Sequence, residues 1–267
     1  MTKFTHFNLG REAPDQQRPL WERGVGVDVL GRHDDRITYR LLVLPMLFLI
    51  EPAVAARVGA YAENGGTVLA TWLTGIVDEN NLCHPGWPGG GPRELFGIWA
   101  EEIDVLHESD RQEIHFKPDT SLNLTGRHRV RAYADLQHLE GATAIAEYGS
   151  DFYAGRPALT CHRVGRGEAW YLAAELDHVG LHAVVGALAK RTGIRQLLPT
   201  PHPGLTVQSR TDGKTEWLFV LNFSGQTHSV DPGPVTDQET DATIHEPVLV
   251  TGWGSKVVFR KARNALS

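Results

Sequence analysis

The stretch RLLVLPMLFLIEPAVAARVGAYAENGGTVLATWL, residues 40–73, decides the fold class. Its first part is a continuous apolar run, the pattern of a strand covered on both faces. Pro52 then stands at a first helical position, and Val54, Val58 and Tyr61 carry the apolar side of a helix. The pair Gly65-Gly66 stops that helix, and TVLATWL returns as a second buried strand. Strand, helix and strand joined by short Gly-marked turns predict a parallel sheet covered by helices.

Working outward, VGVDVL (25–30) alternates and is β-branched, so it reads as a further strand. The segment before it, DQQRPLWERG, has the look of a helix end stopped by Gly24, with Pro19 an awkward member. Residues 1–20 as a whole are expected to be an irregular remnant. Downstream, PRELFGI reads as a short helix, and AEEIDVL, EIHF, HRVRAYA and ATAIAEY as strands. PALTCHRVGRGEAWYLAAEL reads as a hairpin turning at Gly165-Arg166-Gly167. DHVGLHAVVGALAKRTGI is an amphipathic helix with Val184, Val185, Leu188 and Ala189 inward and Gly193 as its stop. Pro199, Pro201 and Pro203 mark a linker. Alternating strands with an Asp212-Gly213 turn follow it.

The expected architecture is therefore α/β: an amidotransferase-like or flavodoxin-like, mostly parallel sheet with flanking helices over residues 21–200. A small antiparallel β domain covers 201–267. Composition agrees with a soluble globular chain, 41% hydrophobic and 22% charged. A net charge of −6 without a basic run argues against nucleic acid as a partner. The apolar run 41–50 is about half of a bilayer-spanning helix and holds Pro45, so no membrane association is expected. The N-terminus has no apolar signal core, and the two cysteines, Cys83 and Cys161, read as reduced thiols of a cytoplasmic protein.

Chemistry concentrates in LTGIVDENNLCHPGWPGGGPREL, residues 73–95, which leaves the carboxyl end of TVLATWL, where open α/β sheets place their binding crevices. Asp78, Glu79, Cys83 and His84 are possible metal ligands. Adjacent side chains diverge, however, and no Cys-x-x-Cys or His-x-x-x-His spacing supports them. No metal and no cofactor are expected. Asp78-Glu79 and Glu101-Glu102 are carboxylate pairs, but sequence neighbours do not face each other across a glycosidic bond. An amidotransferase would put a Cys or Ser at the elbow after the strand. Here the elbow is Thr74-Gly75-Ile76, so no catalytic residue is assigned. Of seven tryptophans, Trp72, Trp170 and Trp217 lie in apolar strands and are expected in the core. Trp87 and Trp253 sit in Gly-rich loops and are candidates for sugar stacking.

Six stretches in order, GVGVDVL, RLLVLPMLFLI, AYAENGGTVLATWLTGIVDEN, ELFGIWAEEIDVL, LEGATAIAEYGSDFYAGRPALTCHRVGRGEAWYLA and WLFVLNFSG, resemble the C-terminal half of glycoside hydrolase family 42 β-galactosidases. TGIVDEN and EYGSDFYAGRPA carry most of that resemblance. It implies an α/β domain that forms a homotrimer, then a C-terminal β domain, without the catalytic (β/α)8 barrel that holds the acid/base and nucleophile glutamates. A barrel takes about 250 residues, and the resemblance starts near Trp21. The first fourteen residues match nothing in the family, as though the chain began at a deletion or a gene split. After GIVDEN the glycines are shifted while Trp87-Pro88-Gly89 is kept. On this resemblance Asp78, Glu79, Asn80, Trp87 and Arg93 are candidate contacts to a neighbouring subunit or to a barrel. The chain by itself is expected to be inactive. Two alternatives stay open: a subunit that completes a separately encoded catalytic barrel polypeptide, and a carbohydrate-binding module.

Overall fold

The computed structural model describes residues 2–5, 12–31, 34, 38–118, 121–198 and 200–262. Residues 6–11 of the expected irregular N-terminus and Pro199 of the expected linker lie outside them. The chain divides into two compact units, one of residues 1–17 and 27–194, the other of 18–26 and 195–267.

The chain opens with strand β1 (Thr2–Thr5) and helix α1 (Glu12–Trp21), so the expectation of an irregular start is corrected. Four residues are too few to show a strand period, which is why β1 leaves no mark in the sequence. Gly24 ends the turn after α1 with φ +68°. Strands β2 (Val27–Leu30) and β3 (Leu41–Leu44), helix α2 (Pro52–Glu63) and strand β4 (Thr67–Thr71) follow. The apolar run 41–50 is a strand only to Leu44, because Pro45 and Met46, the latter at φ +45°, turn the chain.

Next come α3 (Pro92–Phe96), β5 (Ile98–Val105), β6 (Gln112–Phe116), β7 (Arg127–Leu139), β8 (Thr143–Tyr148), β9 (Pro157–Val164), β10 (Gly167–Leu172), β11 (Ala174–Leu176) and α4 (His178–Arg191). Eleven described strands form one sheet in the order β11-β7-β6-β8-β9-β10-β4-β3-β1-β2, with β5 paired to β7. The pairs β10/β4, β4/β3, β3/β1 and β1/β2 are parallel, and the remaining six are antiparallel. The sheet is mixed rather than mostly parallel. The crossovers through α1, from β1 to β2, and through α2, from β3 to β4, have the length that parallel neighbours require; between β5 and β10 the links are turns and loops without helices.

Helices α2 and α3 lie against β9 and β10, and α4 against β7 and β11. Asp177 caps α4 by accepting a hydrogen bond from the Gly180 amide at 2.8 Å, and Val184, Val185, Leu188 and Ala189 are buried as their spacing predicts. Trp72 and Trp170 are in the core.

The second unit is antiparallel. Its strands are β12 (Leu205–Thr211), β13 (Thr215–Asn222), β14 (His228–Val230), β15 (Val235–Asp237), β16 (Thr243–Ile244), β17 (Val248–Val250) and β18 (Ser255–Lys261). Its core includes Leu205, Val207, Leu218, Val220, Val250 and Val258. The tail of α1 is tied into this unit: Trp21 O accepts from Thr206 Oγ1 at 3.0 Å and from Gln208 Nε2 at 3.2 Å. A Cβ on Gly24 would lie 2.5 Å from Val207 O, so only glycine lets the two backbones approach. Trp217 is not in the core. Leu218 and Val220 set the inward face of β13, which turns Trp217 outward and Glu216 inward.

Candidate functional site

Residues 73–97 leave the carboxyl end of β4 and form a loop closed on itself rather than an open crevice. Thr71 and Thr74, both fully buried, fix its root. Thr71 Oγ1 accepts from the Met46 amide at 2.8 Å, and Thr74 Oγ1 donates to Thr71 O at 2.7 Å. The elbow hydroxyl is thus spent on its own strand. Leu73, at φ +59°, donates its amide to Asp135 Oδ2 on β7 at 3.0 Å. Gly75 donates to Leu47 O at 2.8 Å and accepts from Gly89 at 2.9 Å, which folds the end of the loop back over its beginning.

Asp78 is the organiser of the DENN turn. Its Oδ1 accepts from the amides of Asn80 at 2.8 Å and Leu82 at 2.9 Å, and Asn81 takes φ +60°. These donors, the Leu82 amide foremost, hold the Asp78 carboxyl below its ordinary range. Glu79 and Asn80 are exposed at the tip of the turn. Cys83 is exposed, whereas the His84 ring lies under Gly89, where an added Cβ would sit 2.0 Å from Cγ. Of the four possible metal ligands of this stretch, Asp78 and His84 are engaged in the packing of the turn, while Glu79 and Cys83 are exposed on it. Cys161, the second free thiol, is pushed up to about 12, chiefly by burial.

Trp87 and Arg93 are brought to one place, the start of β5. Trp87 O accepts from the Ala100 amide at 2.7 Å, and the indole is half-buried. Arg93, in α3, lies 5.7 Å above the Trp99 ring, and its guanidinium clasps Glu140 through Nε at 2.6 Å and through Nη2. Trp99 stacks on His138 with centroids 4.9 Å apart, and His138 Nε2 is 2.9 Å from Glu101 Oε2. Glu101 also accepts from Arg156, and that bond is the main reason its carboxyl is held low. Glu101 is thus an ion-pair partner and Glu102 an exposed neighbour across a β-bulge. Gly86 touches the same tryptophan, since a Cβ there would lie 2.1 Å from Trp99 Nε1.

The described surface around residues 73–97 is one of stacked rings and ion pairs. Sequence reasoning singled out Trp87 and Arg93 but missed Trp99, His138 and Glu140. Those three are contributed by β5 and the end of β7, and no spacing rule connects them.

In the second unit Trp253 is 76% exposed, in a turn where it adopts φ +57° and donates its amide to Ser224 O at 2.8 Å. Inside that unit lies an ion cluster that sequence reasoning also missed. Glu216 accepts from Arg195 Nη1 at 2.5 Å and from Arg260 Nε at 2.8 Å, and Arg260 reaches on to Pro232 O. Burial works to raise the Glu216 carboxyl, but the two guanidiniums outweigh it and hold it below its usual range.

The model of the β-galactosidase trimerisation domain matches residues 6–195, and that of the β-galactosidase C-terminal domain matches residues 204–257. The chain belongs to the glycoside hydrolase family 42 β-galactosidases. It is 34% identical to the β-galactosidase Pbg of Clostridium perfringens over 91% of its own length, which is 36% of that protein. It is 36% identical to BglY of Alicyclobacillus acidocaldarius over 92% of its length, again 36% of the relative. A crystal structure of the β-galactosidase from Bacillus circulans sp. alkalophilus superposes with a TM-score of 0.90 at 29% identity, covering 97% of this chain and 41% of that one. The chain therefore spans about a third of the length of the curated β-galactosidases it matches. Among the described residues no helix is long and apolar enough to cross a membrane.

Proposed function

We propose that this chain is the oligomerisation portion of a β-galactosidase, non-catalytic by itself, which assembles as a homotrimer in the cytoplasm. In a complete enzyme it would arrange the galactoside-hydrolysing barrels around a shared centre. The observation that carries the reading is the match to the trimerisation and C-terminal domains in succession, with longer relatives accounting for the rest of their length. On this reading the trimer-forming part is residues 21–200, related to the amidotransferase-like or flavodoxin-like α/β folds, and the C-terminal β domain is 201–267. The exposed tip of the 78–82 turn, with Glu79 and Asn80, and the Trp87–Arg93 corner are the contact regions. Asp78 acts there by shaping the turn. Sedimentation equilibrium of the purified chain tests this: a trimer is expected, and a stable monomer at micromolar concentration refutes it. Hydrolysis of a chromogenic galactoside by the chain alone would refute its non-catalytic character.

A second reading follows from the same coverage: the chain completes an active site supplied by a separate barrel polypeptide, and activity appears only on mixing the two. The exposure of Trp253 supports a third role, sugar stacking in the second unit. Calorimetry with galactose and lactose tests it, and absence of heat at millimolar sugar disposes of it.

A further inference from the structure

The amino edge of β3 and β4, opposite the edge from which the 73–97 loop leaves, carries a cavity of about 770 Å³ in the first unit. Residues 38–40 lead into β3 and residues 65 and 66 into β4, and Leu41 and Thr67 are paired there in parallel register. Arg57, Tyr61 and Asn64 come from α2 and the residue that caps it. Spacings of four and then three residues put them on one face of the helix. Arg191 and Thr192 close the cavity from the end of α4. Its volume lies within the range of small-molecule sites, about 300–1,000 Å³.

The charge of its wall is one-sided. Arg40, Arg57 and Arg191 line it, and no carboxylate stands among the described lining residues, in a chain whose net charge is −6. Arg40 donates from Nη1 to Gly193 O at 2.8 Å, which takes one of the five N–H donors of a guanidinium and anchors the side chain. Arg191 is held by the Glu168 carboxylate of β10, through Nε at 2.8 Å and Nη2 at 2.6 Å. Arg166 reaches in behind the wall, with Nη2 3.3 Å from Asn64 O. The Tyr61 hydroxyl is turned away to Tyr39 O at 2.8 Å, so its ring and Ala60 give the cavity an apolar side.

Two features oppose an anion here. Helices α2 and α4 both end at the cavity, and a helix C-terminus carries about half a negative charge. Those ends are capped: Ala60 O accepts from the Asn64 amide and Nδ2, Leu188 O from the Thr192 amide and Oγ1, and Asn64 O and Gly193 O from Arg166 and Arg40. The second feature is the carboxylates bonded to lining residues. Glu168 balances Arg191, and Asp28 accepts from the Tyr39 hydroxyl at 3.3 Å. Against these stand three further guanidiniums, those of Arg40, Arg57 and Arg166. Guanidinium forks match the oxygens of a phosphate in geometry as well as in charge.

We propose that this cavity binds a small phosphate monoester, with Arg40 and Arg57 as donors to the phosphate and the Tyr61–Ala60 side against the organic part. The site lies away from the 73–97 loop and stands apart from the trimer reading. Calorimetry of the full chain with a hexose 6-phosphate, a nucleoside 5′-monophosphate, inorganic phosphate and galactose tests it. At least one ester should bind with a Kd below about 1 mM and about tenfold or more tightly than inorganic phosphate, and galactose should give no heat. The tighter of the two esters names the carrier. R40A and R57A should each weaken that ester by about tenfold or more, as loss of a charge-assisted bond does. R57A leaves the Arg40 bond to Gly193 O in place, so the test does not depend on R40A folding. Hydrogen exchange locates the ligand, which should protect peptides over residues 64–67 and 190–193. No heat from either ester up to about 10 mM, inorganic phosphate binding as tightly as the esters, or ester binding unchanged in R57A overturns the proposal.

Discussion

Replacing Glu216 by glutamine isolates what an inward-facing charge does in the C-terminal β unit. The carboxylate side chain is 7% exposed and accepts from two guanidiniums, Arg260 at 10% side-chain exposure and Arg195 at 43%. Glutamine keeps the shape but leaves Arg260 buried opposite a neutral amide. Breaking a buried pair by removing one partner costs about 3–5 kcal/mol. Arg195 can turn to solvent and Arg260 keeps its bond to Pro232 O, which places E216Q at the lower end, about 3 kcal/mol. Denaturant unfolding combined with hydrogen exchange of β13 and β18 reads this loss in the unit concerned. A companion variant sharpens the test: E216L/R260M replaces the pair by apolar side chains and should recover stability to within about 1 kcal/mol of the parent. The pH dependence has a fixed sign. The folded-state carboxyl is depressed, so its contribution is present above the unfolded glutamate pKa and is lost as pH falls through the folded value. E216Q should lack that acid limb. A loss below about 1 kcal/mol in E216Q, with an unchanged acid limb, would refute the reasoning.

Three further outcomes are expected. Asp135 has a folded-state value raised to about 7, so its contribution is fully present below the unfolded aspartate pKa and declines by about 4 kcal/mol as pH rises to neutrality and beyond. D135N should flatten the stability profile of the first unit between those limits, measured by denaturant titration at several pH values. G66A places a Cβ 2.3 Å from the Tyr61 ring, whose hydroxyl donates to Tyr39 O at 2.8 Å, and should cost about 2 kcal/mol in thermal unfolding. R93A removes a half-exposed, solvent-screened pair with Glu140 and should leave monomer stability nearly unchanged. If the Trp87–Arg93 corner is a subunit contact, R93A should nevertheless weaken the trimer by about tenfold or more in sedimentation, as an interfacial arginine does.

The readable parts of the fold were those where chain punctuation and periodicity agree. Pro52 opens α2, Gly65 closes it at φ +104°, and α4 runs from its Asp177 cap to Gly193. The hairpin turn at Gly165-Arg166 joins β9 to β10 as an antiparallel pair, as expected. What was not readable depends on partners distant in sequence. A parallel sheet was extrapolated from one crossover, yet the strands from β5 to β9 pair antiparallel, a choice made by connection length and not by strand composition. Trp217 was assigned inward on hydrophobicity alone, although period-two alternation lets only one of Glu216 and Trp217 face the core. Leu218 and Val220, on the same inward face, decide that it is Glu216, and Arg260 pairs with it there.

The loop 73–97 shows the same division between local and distant information. Asp78 was legible as a turn former, because an aspartate ahead of Asn-Asn makes its bonds within four residues. Its position after a buried strand also made it look like a reaction site. Three of the groups that could react are engaged: Thr74 by its own strand, Glu101 by Arg156 and His138, and Arg93 by Glu140. Beneath the loop root lies buried Asp135, from a strand more than sixty residues away in the YADLQ segment. Nothing in its neighbours announces that it will be sealed under Leu73. A loop whose root is bonded to two strands holds its surface in shape, and on the proposed reading that surface is a joint between parts.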